Sequence, residues 1–423
     1  MKPSFARFHL EHLSRRDALK LGVAGAAAVA SAPLVSSVAA AESNGSGNGV
    51  GNDQTGANKP GNAGKSGKYG PRSGTYDDTM FDVEAVLAGA WANGPYGAGD
   101  QRGTFNELTP SRTAKALRLL HPGRPVKTYQ LGEEMFNGFP AFPSDPPRLH
   151  EMSLYVLGFE APPGFVEGGG IPAATETIGP NKVSALEERF AENFTFQIAT
   201  QVDGLNHIAV GDLFYNGFRG PEIATPTGTS ALGNENMGPV ATRAVIYDVV
   251  GLKVATGKTE DFFVVANDQP VLRDDYRITL DDLRACLQRQ RVKEPGAGDV
   301  PILHTGWTHL VRSDPERYLT QEPGIYLEEC RYFADRKVAL VASDSWAVEV
   351  LSPAVTGGNA FPCHQLLIVK EGIRIGESFV TDDAVADHCY EGVLVVTPEN
   401  VPGATCGSSA PTLLGQPGRK PRD

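Results

Sequence analysis

Hydrophobic residues change their spacing several times along this chain, and the changes predict a succession of strands and helices. Continuous apolar runs predict buried strands at 241–250, 300–304, 338–341 and 393–396. Helical spacing recurs over 324–335 and after Thr279, where two aspartates in the first turn are typical of a helix start. Helices that alternate with continuous apolar strands predict an α/β fold with a largely buried sheet.

The N-terminal part of this body carries further local signals. A capping threonine followed by proline predicts a helix over 111–120, and the next apolar run predicts a strand over 126–131. Residues 137–147 contain five prolines and glycines, which predicts a long surface loop. Loops of that length often carry function, and we expect substrate specificity to depend on this loop and on residues 161–180.

The last third of the chain contains an apolar run between two residues that can both bind metals. His364 begins the run, Gly372 interrupts it and Glu377 ends it, a pattern that predicts a hairpin or a strand–turn–strand. Such a turn could bring His364 and Glu377 close together. Alternatively, His364 only caps an element and Glu377 faces water. Thr381, followed by two aspartates, predicts a short helix after the run.

The densest group of reactive side chains lies between residues 196 and 217. Gln197, Gln201, Asp203 and His207 are separated by even numbers of residues, so on a strand that continues into a loop they would start from one face. That spacing predicts the wall of a site. The alternative is an ordinary strand and turn, in which Asp203 and the following glycine form the turn and His207 is a satisfied polar residue.

The two ends of the chain differ from the body. Residues 1–41 combine paired arginines, a short apolar run and a final alanine triplet, which predicts a twin-arginine export signal and a periplasmic or extracellular protein. The alternative is a transmembrane anchor, for which the run is short and weakly hydrophobic. Residues 42–76, rich in Gly, Asn and Ser, predict a disordered linker. We therefore expect a single large domain at 77–415, a tail at 416–423 and no membrane segment in the mature form.

Charge and cysteine usage narrow the chemistry. The chain has 38 lysines and arginines against 50 aspartates and glutamates, and its first 41 residues are net positive. An acidic body without a basic cluster argues against nucleic acid or an anionic membrane as a partner. The five cysteines are widely spaced without a Cys-x-x-Cys pair, so we interpret them as buried apolar residues. Cys363 precedes His364, but neighbours on an extended segment point to opposite faces, which argues against a nucleophilic pair.

The reactive residues can be combined into a metal site. A divalent ion needs three or four nitrogen and oxygen ligands from separate elements. Asp203, His364 and Glu377 could supply them, with Gln201 as a weak oxygen donor and His207 left free to transfer protons. An ion at such a site lowers the pKa of bound water toward about 7. Imidazole carries protons in the same pH range.

These residues carry a resemblance to a known family. The order of residues from Gln197 to His207 resembles a divergent form of the His-x-Gly-Thr-His-x-Asp-x-x-x-His motif of the cyclase family, which includes bacterial kynurenine formamidase and the manganese-dependent isatin hydrolases. It is similar to a subfamily whose motif reads Thr-Gln-x-Asp-x-Leu-x-His and ends in Tyr-Asn-Gly. Further matches lie at 103–106, 214–217, 305–307, 344–349, His364 and Glu377.

The resemblance implies a role for each matched position. Asp203, His364 and Glu377 would bind metal, and His207 would be the general acid/base. Gln197 and Gln201 stand where the family has histidines, and amides bind transition metals more weakly than imidazole does. We therefore expect one divalent ion, manganese or zinc, instead of two. The resemblance also implies a swivelling β/β/α fold and a homo-oligomer.

These expectations lead to one functional hypothesis. The chain would be an exported, metal-dependent hydrolase that cleaves the carbon–nitrogen bond of a small-molecule substrate such as a cyclic amide or an aryl formamide. The ion would activate water while His207 moves a proton to the leaving nitrogen. Two alternatives use the same site: a catalytically silent relative that binds a small ligand, and a lactonase or dehydratase.

Overall fold

The computed structural model describes residues 75–421 of the chain. The predicted export signal at 1–41 lies outside the described residues, as does the predicted linker at 42–76 apart from its last two residues. Within the described part, no helix combines the length and the apolar character that crossing a bilayer requires.

A nine-stranded mixed sheet forms the centre of the fold. In spatial order, with strands numbered along the chain, it contains β1 (Lys127–Gln130), β16 (Thr412–Gly415), β14 (Glu391–Val396), β8 (Val240–Asp248), β11 (Val300–His304), β12 (Leu340–Ser343), β13 (Arg374–Glu377), β5 (Gln201–Asp203) and β15 (Cys406–Ser408). The neighbours β8, β11, β12 and β13 are parallel, and the outer strands pair antiparallel.

Both faces of this sheet are covered, so its central strands are buried throughout. Val245 and Tyr247 of β8 point into one hydrophobic cluster, while Ala244 and Ile246 point into a second cluster on the other face. This alternation follows from the two-residue period of a strand. The prediction of an α/β fold with a largely buried sheet in a single large domain is confirmed.

Short strands outside the main sheet form three smaller sheets. They are β2 (Met152–Leu157), β3 (Ile171–Pro172) and β4 (Ala185–Phe190) in one, β6 (Ala224–Thr225) and β7 (Gly228–Thr229) in another, and β9 (Phe262–Val265) and β10 (Gln269–Leu272) in the third. The β3-β2-β4 sheet is mostly exposed, in contrast to the main sheet.

The helices cover the faces and the ends of the sheet. Those of α type span Val83–Ala85, Pro110–Leu117, Gly220–Ile223, Val249–Ala255, Leu280–Gln290, Leu310–Ser313, Pro315–Thr320, Leu327–Asp335, Pro353–Thr356, Pro362–His364 and Asp382–Ala386. The predicted cap at Thr279 is present, since its side chain accepts from the Asp282 N–H while Asp282 accepts in return.

Tighter and wider helical turns complete the helical elements. Turns of 3₁₀ type span Gly103–Glu107, Tyr215–Gly217, Asn234–Asn236, Ala266–Asp268 and Trp307–His309. Turns of π type span Val86–Ala90 and Gln365–Glu371.

The bounds of several predicted elements shift by two to three residues, as in the strand Leu340–Ser343 and the helix Leu327–Asp335, and two predictions differ in the type of element. The strand expected over 241–250 ends at Asp248, whose side chain accepts from the Gly251 N–H and so starts a helix. The hairpin expected between His364 and Glu377 is wrong, because the apolar run is helical from Pro362 to Glu371 and only Arg374–Glu377 is a strand. A short apolar run that is buried on all sides has no alternation that would separate helix from strand.

Candidate metal centre and pocket

Asp203 ends β5 with its carboxylate inside the protein. The preceding Val202 points to the opposite face of the sheet, into the second hydrophobic cluster. Gly204 follows, and a Cβ there would lie 2.7 Å from the Thr405 carbonyl oxygen, so the chain has no room for a larger residue. Asp203 is fully buried, and neither carboxylate oxygen accepts a hydrogen bond within the described residues. Burial and the nearby Glu377 raise the pKa of Asp203 well above its ordinary value.

His364 is held in place by Glu349. The Glu349 carboxylate accepts from the backbone N–H groups of Cys363 and His364, each at 2.9 Å, and lies 2.6 Å from His364 Nδ1. Because a carboxylate only accepts, Nδ1 carries a proton, and a cation bound at Nε2 would take the place of the second proton. Burial lowers the pKa of His364, but the hydrogen bonds that its ring donates to Glu349 and Glu377 outweigh burial and raise the pKa well above its ordinary value.

Glu377 ends β13 and faces β5 directly. Its Cα is the register partner of Gln201, whose Nε2 donates to Glu377 Oε2 over 2.5 Å. The turn that leads into β13 is held by residues from the N-terminal part of the domain, because the Gly372 carbonyl accepts from the Thr104 N–H at 2.9 Å. Gly103 sits against that carbonyl in a left-handed conformation that has no space for a Cβ. The predicted Gly-Thr-Phe-Asn motif therefore acts as a support for this strand.

These three side chains form a group that fits a cation. Their ligand atoms all lie within 4.8 Å of one another, with His364 Nε2 at 3.7 Å from Asp203 Oδ2 and 3.4 Å from Glu377 Oε1. Gln201 Oε1 is also buried without a hydrogen-bond partner in the described residues. Buried oxygen atoms that accept nothing are costly, and a bound cation would satisfy them. The four predicted metal-site residues are thus brought together.

His207 stands beside this group at the end of a chain of amides. Gln201 Nε2 donates to Gln197 Oε1 at 2.9 Å, and Gln197 Nε2 lies 3.1 Å from His207 Nδ1. Because Glu377 can only accept, each amide in this series donates its N–H to the next acceptor, and the amide N–H of Gln197 is left to donate to His207 Nδ1. Burial, together with the positive charges of His364 and Arg148, lowers the pKa of His207 to about 3. The ring is therefore neutral at physiological pH, with its proton on Nε2.

A cavity of about 130 Å³ opens above these residues. Its polar end is formed by Gln197, Gln201, His207, His364 and Glu377, and its walls are largely apolar and aromatic. The wall residues include Phe139, Phe142, Ile198, Ile208, Tyr318, Trp346 and Phe361. The predicted loop at 137–147 supplies four lining residues, whereas the predicted specificity loop at 161–180 supplies none.

Four residues around the cavity adopt left-handed backbone conformations without being glycine. Ala199, Phe361 and Ser378 line the cavity with φ of 58°, 50° and 54°. Val348, which precedes Glu349, has φ of 65°. Such conformations cost on the order of 1–3 kcal/mol each and collect at sites where the chain must aim side chains. These conformations indicate that the backbone around the cavity holds its side chains in place at a cost to the stability of the fold.

A second buried group of polar residues lies elsewhere on the same sheet. Asp344 accepts from the Thr305 N–H at 2.9 Å, from the Gly306 N–H at 2.7 Å and from the Thr305 hydroxyl. His304 Nδ1 lies 3.3 Å from Asp344 Oδ2 and 2.9 Å from Thr381 Oγ1. Although burial opposes it, the hydrogen bond with Asp344 raises the pKa of His304 to about 9. The predicted Thr-Gly-Trp and Asp-Ser-Trp segments thus meet in a structural group.

The cysteines do not take part in the site. All five are buried and none forms a disulfide, in agreement with their interpretation as apolar residues. Cys363 precedes His364 in a helical turn and not in an extended segment, which corrects the reason given for excluding it. Its Sγ contacts the Ile325 carbonyl at 3.8 Å, and burial raises its thiol pKa well above the ordinary value, so the thiolate is disfavoured.

Two contributors to the site were not recognised from the sequence as functional. Glu349 was part of a matched segment without a role, yet it orients the His364 ring. Arg148, directly after the predicted loop, lines the cavity and donates to the Gln197 carbonyl at 3.3 Å. The sequence signal for Arg148 was its position beside a loop rich in proline and phenylalanine. No local pattern marked Glu349, because its contact depends on how two distant turns meet.

Fold and site together define a class of protein. A mixed α/β sheet supports a small-molecule cavity, and the polar end of that cavity is a group of side chains able to hold a cation. Residues 129–350 match the family described as "Putative cyclase", which is more than half of the chain. The chain belongs to this cyclase family. The matched range contains Asp203 and His207 and ends before His364 and Glu377.

The chain is also similar to solved structures. A crystal structure of a novel cyclase is 26% identical, with a TM-score of 0.60 over 79% of this chain and 100% of that one. Isatin hydrolase A from Ralstonia solanacearum is 16% identical, with a TM-score of 0.45 over 68% of this chain and 92% of that one. No curated protein sequence matches the chain.

Proposed function

We propose that this chain is a metal-dependent hydrolase that cleaves the carbon–nitrogen bond of a small amide. The observation that supports it most directly is the Asp203 carboxylate, which is fully buried yet accepts no hydrogen bond within the described residues. A buried carboxylate without a donor requires an explanation, and a bound ion is one that fits the other ligand atoms around it. Asp203 lies at the polar end of an aromatic cavity, so an ion bound there would also contact a small molecule in the cavity.

Asp203, His364 and Glu377 would hold the ion, with Gln201 Oε1 as a fourth oxygen. When bound, a divalent ion would supply Lewis acidity that polarises a carbonyl and makes hydroxide available near neutral pH. The chain's own residues orient the reaction. Glu349 fixes the His364 ring, and the aromatic walls give the cavity a largely apolar lining.

His207 is the group that would handle protons. Its Nε2–H is free to donate to the carbonyl or to the leaving nitrogen of an amide, because Nδ1 is engaged by Gln197. Its ring centre lies 6.4 Å from that of His364, so both imidazoles face the same small volume. A positioned proton donor typically contributes about 10²–10⁴-fold to a rate.

The test combines elemental analysis with one substitution. Purified protein is expected to contain about one divalent ion per chain and to hydrolyse members of a panel of aryl formamides and cyclic amides. His207→Ala should keep the ion and lose turnover by about 10²–10⁴-fold. His309→Ala is the matched control, since His309 pairs with Asp382 at 3.0 Å and does not line the cavity. Protein that contains no metal and is indifferent to added manganese or zinc would sink the proposal.

A catalytically silent, ligand-binding relative is the second candidate. It is favoured by the amide contacts, because Gln201 already donates to Glu377 and Gln197 already engages His207. Saturable binding of a panel amide without turnover, in protein that contains the ion, would support this candidate over the first. Turnover of lactones instead of amides in the same panel would point to a lactonase.

Export by the twin-arginine route is also a proposal. It is supported by the paired arginines Arg15 and Arg16 and the apolar run that follows them. Replacing both arginines with lysine should retain the protein in the cytoplasm, as measured by cell fractionation. Periplasmic accumulation of the substituted chain would contradict this proposal without affecting the enzymatic one.

A further inference from the structure

Arg148 places a positive charge in the wall of the cavity. Its NH1 donates to the Gln197 carbonyl, and its guanidinium lies 5.4 Å from the ring centre of Phe142. The segment that carries it is anchored, since the Leu149 N–H donates to the Asn193 carbonyl at 3.1 Å. The guanidinium is therefore positioned by the fold instead of extending freely into solvent.

This charge has no acidic partner of its own. Within residues 75–421, no carboxylate lies within ion-pair distance of Arg148. Its NH1 uses only a neutral carbonyl. Its charge nevertheless acts on the polar end of the cavity, because it helps to lower the pKa of His207 and opposes the rise in the pKa of Asp203.

Arg148 is a positively charged side chain that lines the cavity without a carboxylate partner among the described residues. Among the lining side chains, Glu377 is the acidic one, and Asp203 lies beneath the cavity. The proposed function places a divalent ion against these two carboxylates, which neutralises them, and His207 is neutral. One positive charge then remains in a largely apolar cavity, where an anion is attracted more strongly than in water.

The size of the cavity limits what can carry that anion. Its volume is about 130 Å³, which is close to an engineered apolar cavity of about 150 Å³ that holds benzene. Phe142 packs between the rings of Trp346, at 5.4 Å, and Phe361, at 6.0 Å. Such walls favour one flat ring over a long flexible chain.

We propose that Arg148 determines specificity by binding a carboxylate on a single-ring substrate, so that the protein acts on small aromatic amides that bear a carboxylate. This inference rests on the proposed function, in that the cavity is taken as the substrate pocket. The planar guanidinium can pair with a carboxylate through two parallel hydrogen bonds. Arg148 thereby holds the ring while its amide faces His207.

Binding is tested first, because it does not depend on turnover. Titration calorimetry of the full chain, as purified, compares benzoate with benzamide, which has the same shape without the charge. Benzoate is expected to bind about 10- to 100-fold more tightly, the range given by a hydrogen bond to a charged group. Arg148→Gln should remove this preference, and Arg148→Lys should retain part of it.

Arg312→Gln is the matched control. Arg312 also stacks on a phenylalanine, with its guanidinium 3.9 Å from the Phe136 ring centre, but it does not line the cavity. The control should keep the benzoate preference. Equal affinity for the two ligands, the absence of saturable benzoate binding, or a preference that survives Arg148→Gln would each overturn the inference. An equal loss of the benzoate preference in both variants would also overturn the inference, since the preference would then depend on the overall charge of the protein and not on Arg148.

Kinetics provide the second measurement. Formamidobenzoate and formamidobenzamide with the same substitution pattern are compared, and the ratio of their kcat/KM values should fall about 10- to 100-fold in Arg148→Gln, mainly through KM. A loss of kcat that is equal for both substrates would assign Arg148 to the reacting group and overturn the specificity role. Failure of the proposed hydrolysis would appear as no turnover on either substrate, while the calorimetric comparison would still decide the role of Arg148.

Discussion

Two buried aspartates of the same sheet have opposite surroundings. Asp344, directly after β12, accepts hydrogen bonds from three donors in the turn after β11 and lies beside His304. Asp203, at the end of β5, accepts none within the described residues. Both are fully buried, so burial alone does not separate them. The difference indicates that the satisfied carboxylate of Asp344 maintains the fold, whereas the unsatisfied carboxylate of Asp203 is the candidate for a ligand from outside the chain.

The largest expected effect is the loss of the satisfied carboxylate. Asp344→Ala leaves the Thr305 and Gly306 N–H groups and His304 buried without their acceptor. Removing one partner of a buried charged pair typically costs about 3–5 kcal/mol. Urea denaturation of Asp344→Ala should show that loss of unfolding free energy. Urea denaturation of Asp203→Ala without added metal should not. A small loss for Asp344→Ala would remove the basis of the comparison.

The second effect is a dependence of stability on pH. Because the pKa of His304 is raised from an ordinary 6.5 to about 9 in the folded protein, its contribution is complete below pH 6.5 and is lost as the pH rises to about 9. The expected loss is about 3 kcal/mol. The difference between wild-type and His304→Gln denaturation curves across this range isolates the contribution from other titrating groups. Parallel curves would show that His304 is not charged in the fold.

Asp203 should behave in the opposite way. Asp203→Asn replaces a buried carboxyl group whose oxygens accept no hydrogen bond within the described residues, so the unfolding free energy of metal-free protein should stay the same or rise. The stabilisation by added manganese or zinc, about 2.7 kcal/mol at a hundred times Kd, should disappear. Thermal unfolding with and without the ion measures both quantities. Metal-dependent stabilisation that persists in Asp203→Asn would exclude Asp203 as a ligand.

The smallest effect is expected for Glu349, which holds the proposed metal ligand His364 in place. Glu349→Gln weakens the acceptor that orients His364 and should lower ion affinity about 10- to 100-fold, as removal of such supporting groups usually does. Glu371→Gln is a suitable control, because this carboxylate pairs with Lys370 near the surface at the end of the same helical segment. Equal ion affinity in both variants would mean that Glu349 only caps the helix.

The features that could be predicted from the sequence are those that depend on residues close together in the chain. Strand β11 and the helix after Thr279 follow from local spacing and capping, and both lie where they were expected. Asp203 was recognised because a motif keeps its ligands at fixed spacing. Gln197 reaches the site although it lies outside β5, since the chain bends before Gln201.

What the sequence did not predict depends on contacts between distant segments. Glu349 reaches His364 because two turns meet across the end of the sheet, and no spacing within one segment shows this. The helical path of 362–371 was missed because its apolar residues are buried on every side. Arg148 gains its meaning only from the aromatic walls around it, which come from loops far apart in the chain.

The left-handed residues around the cavity set a limit for engineering. Glycine at Ala199, Val348, Phe361 or Ser378 would relieve a local steric clash, so a search for heat-resistant variants would be drawn to these positions. The same replacement would let the backbone that aims Glu349 and His364 sample other conformations. Thermal tolerance gained there would be accompanied by a looser cavity and broader substrate acceptance. Stabilisation that preserves selectivity therefore has to begin at the exposed β3-β2-β4 sheet, away from these four residues.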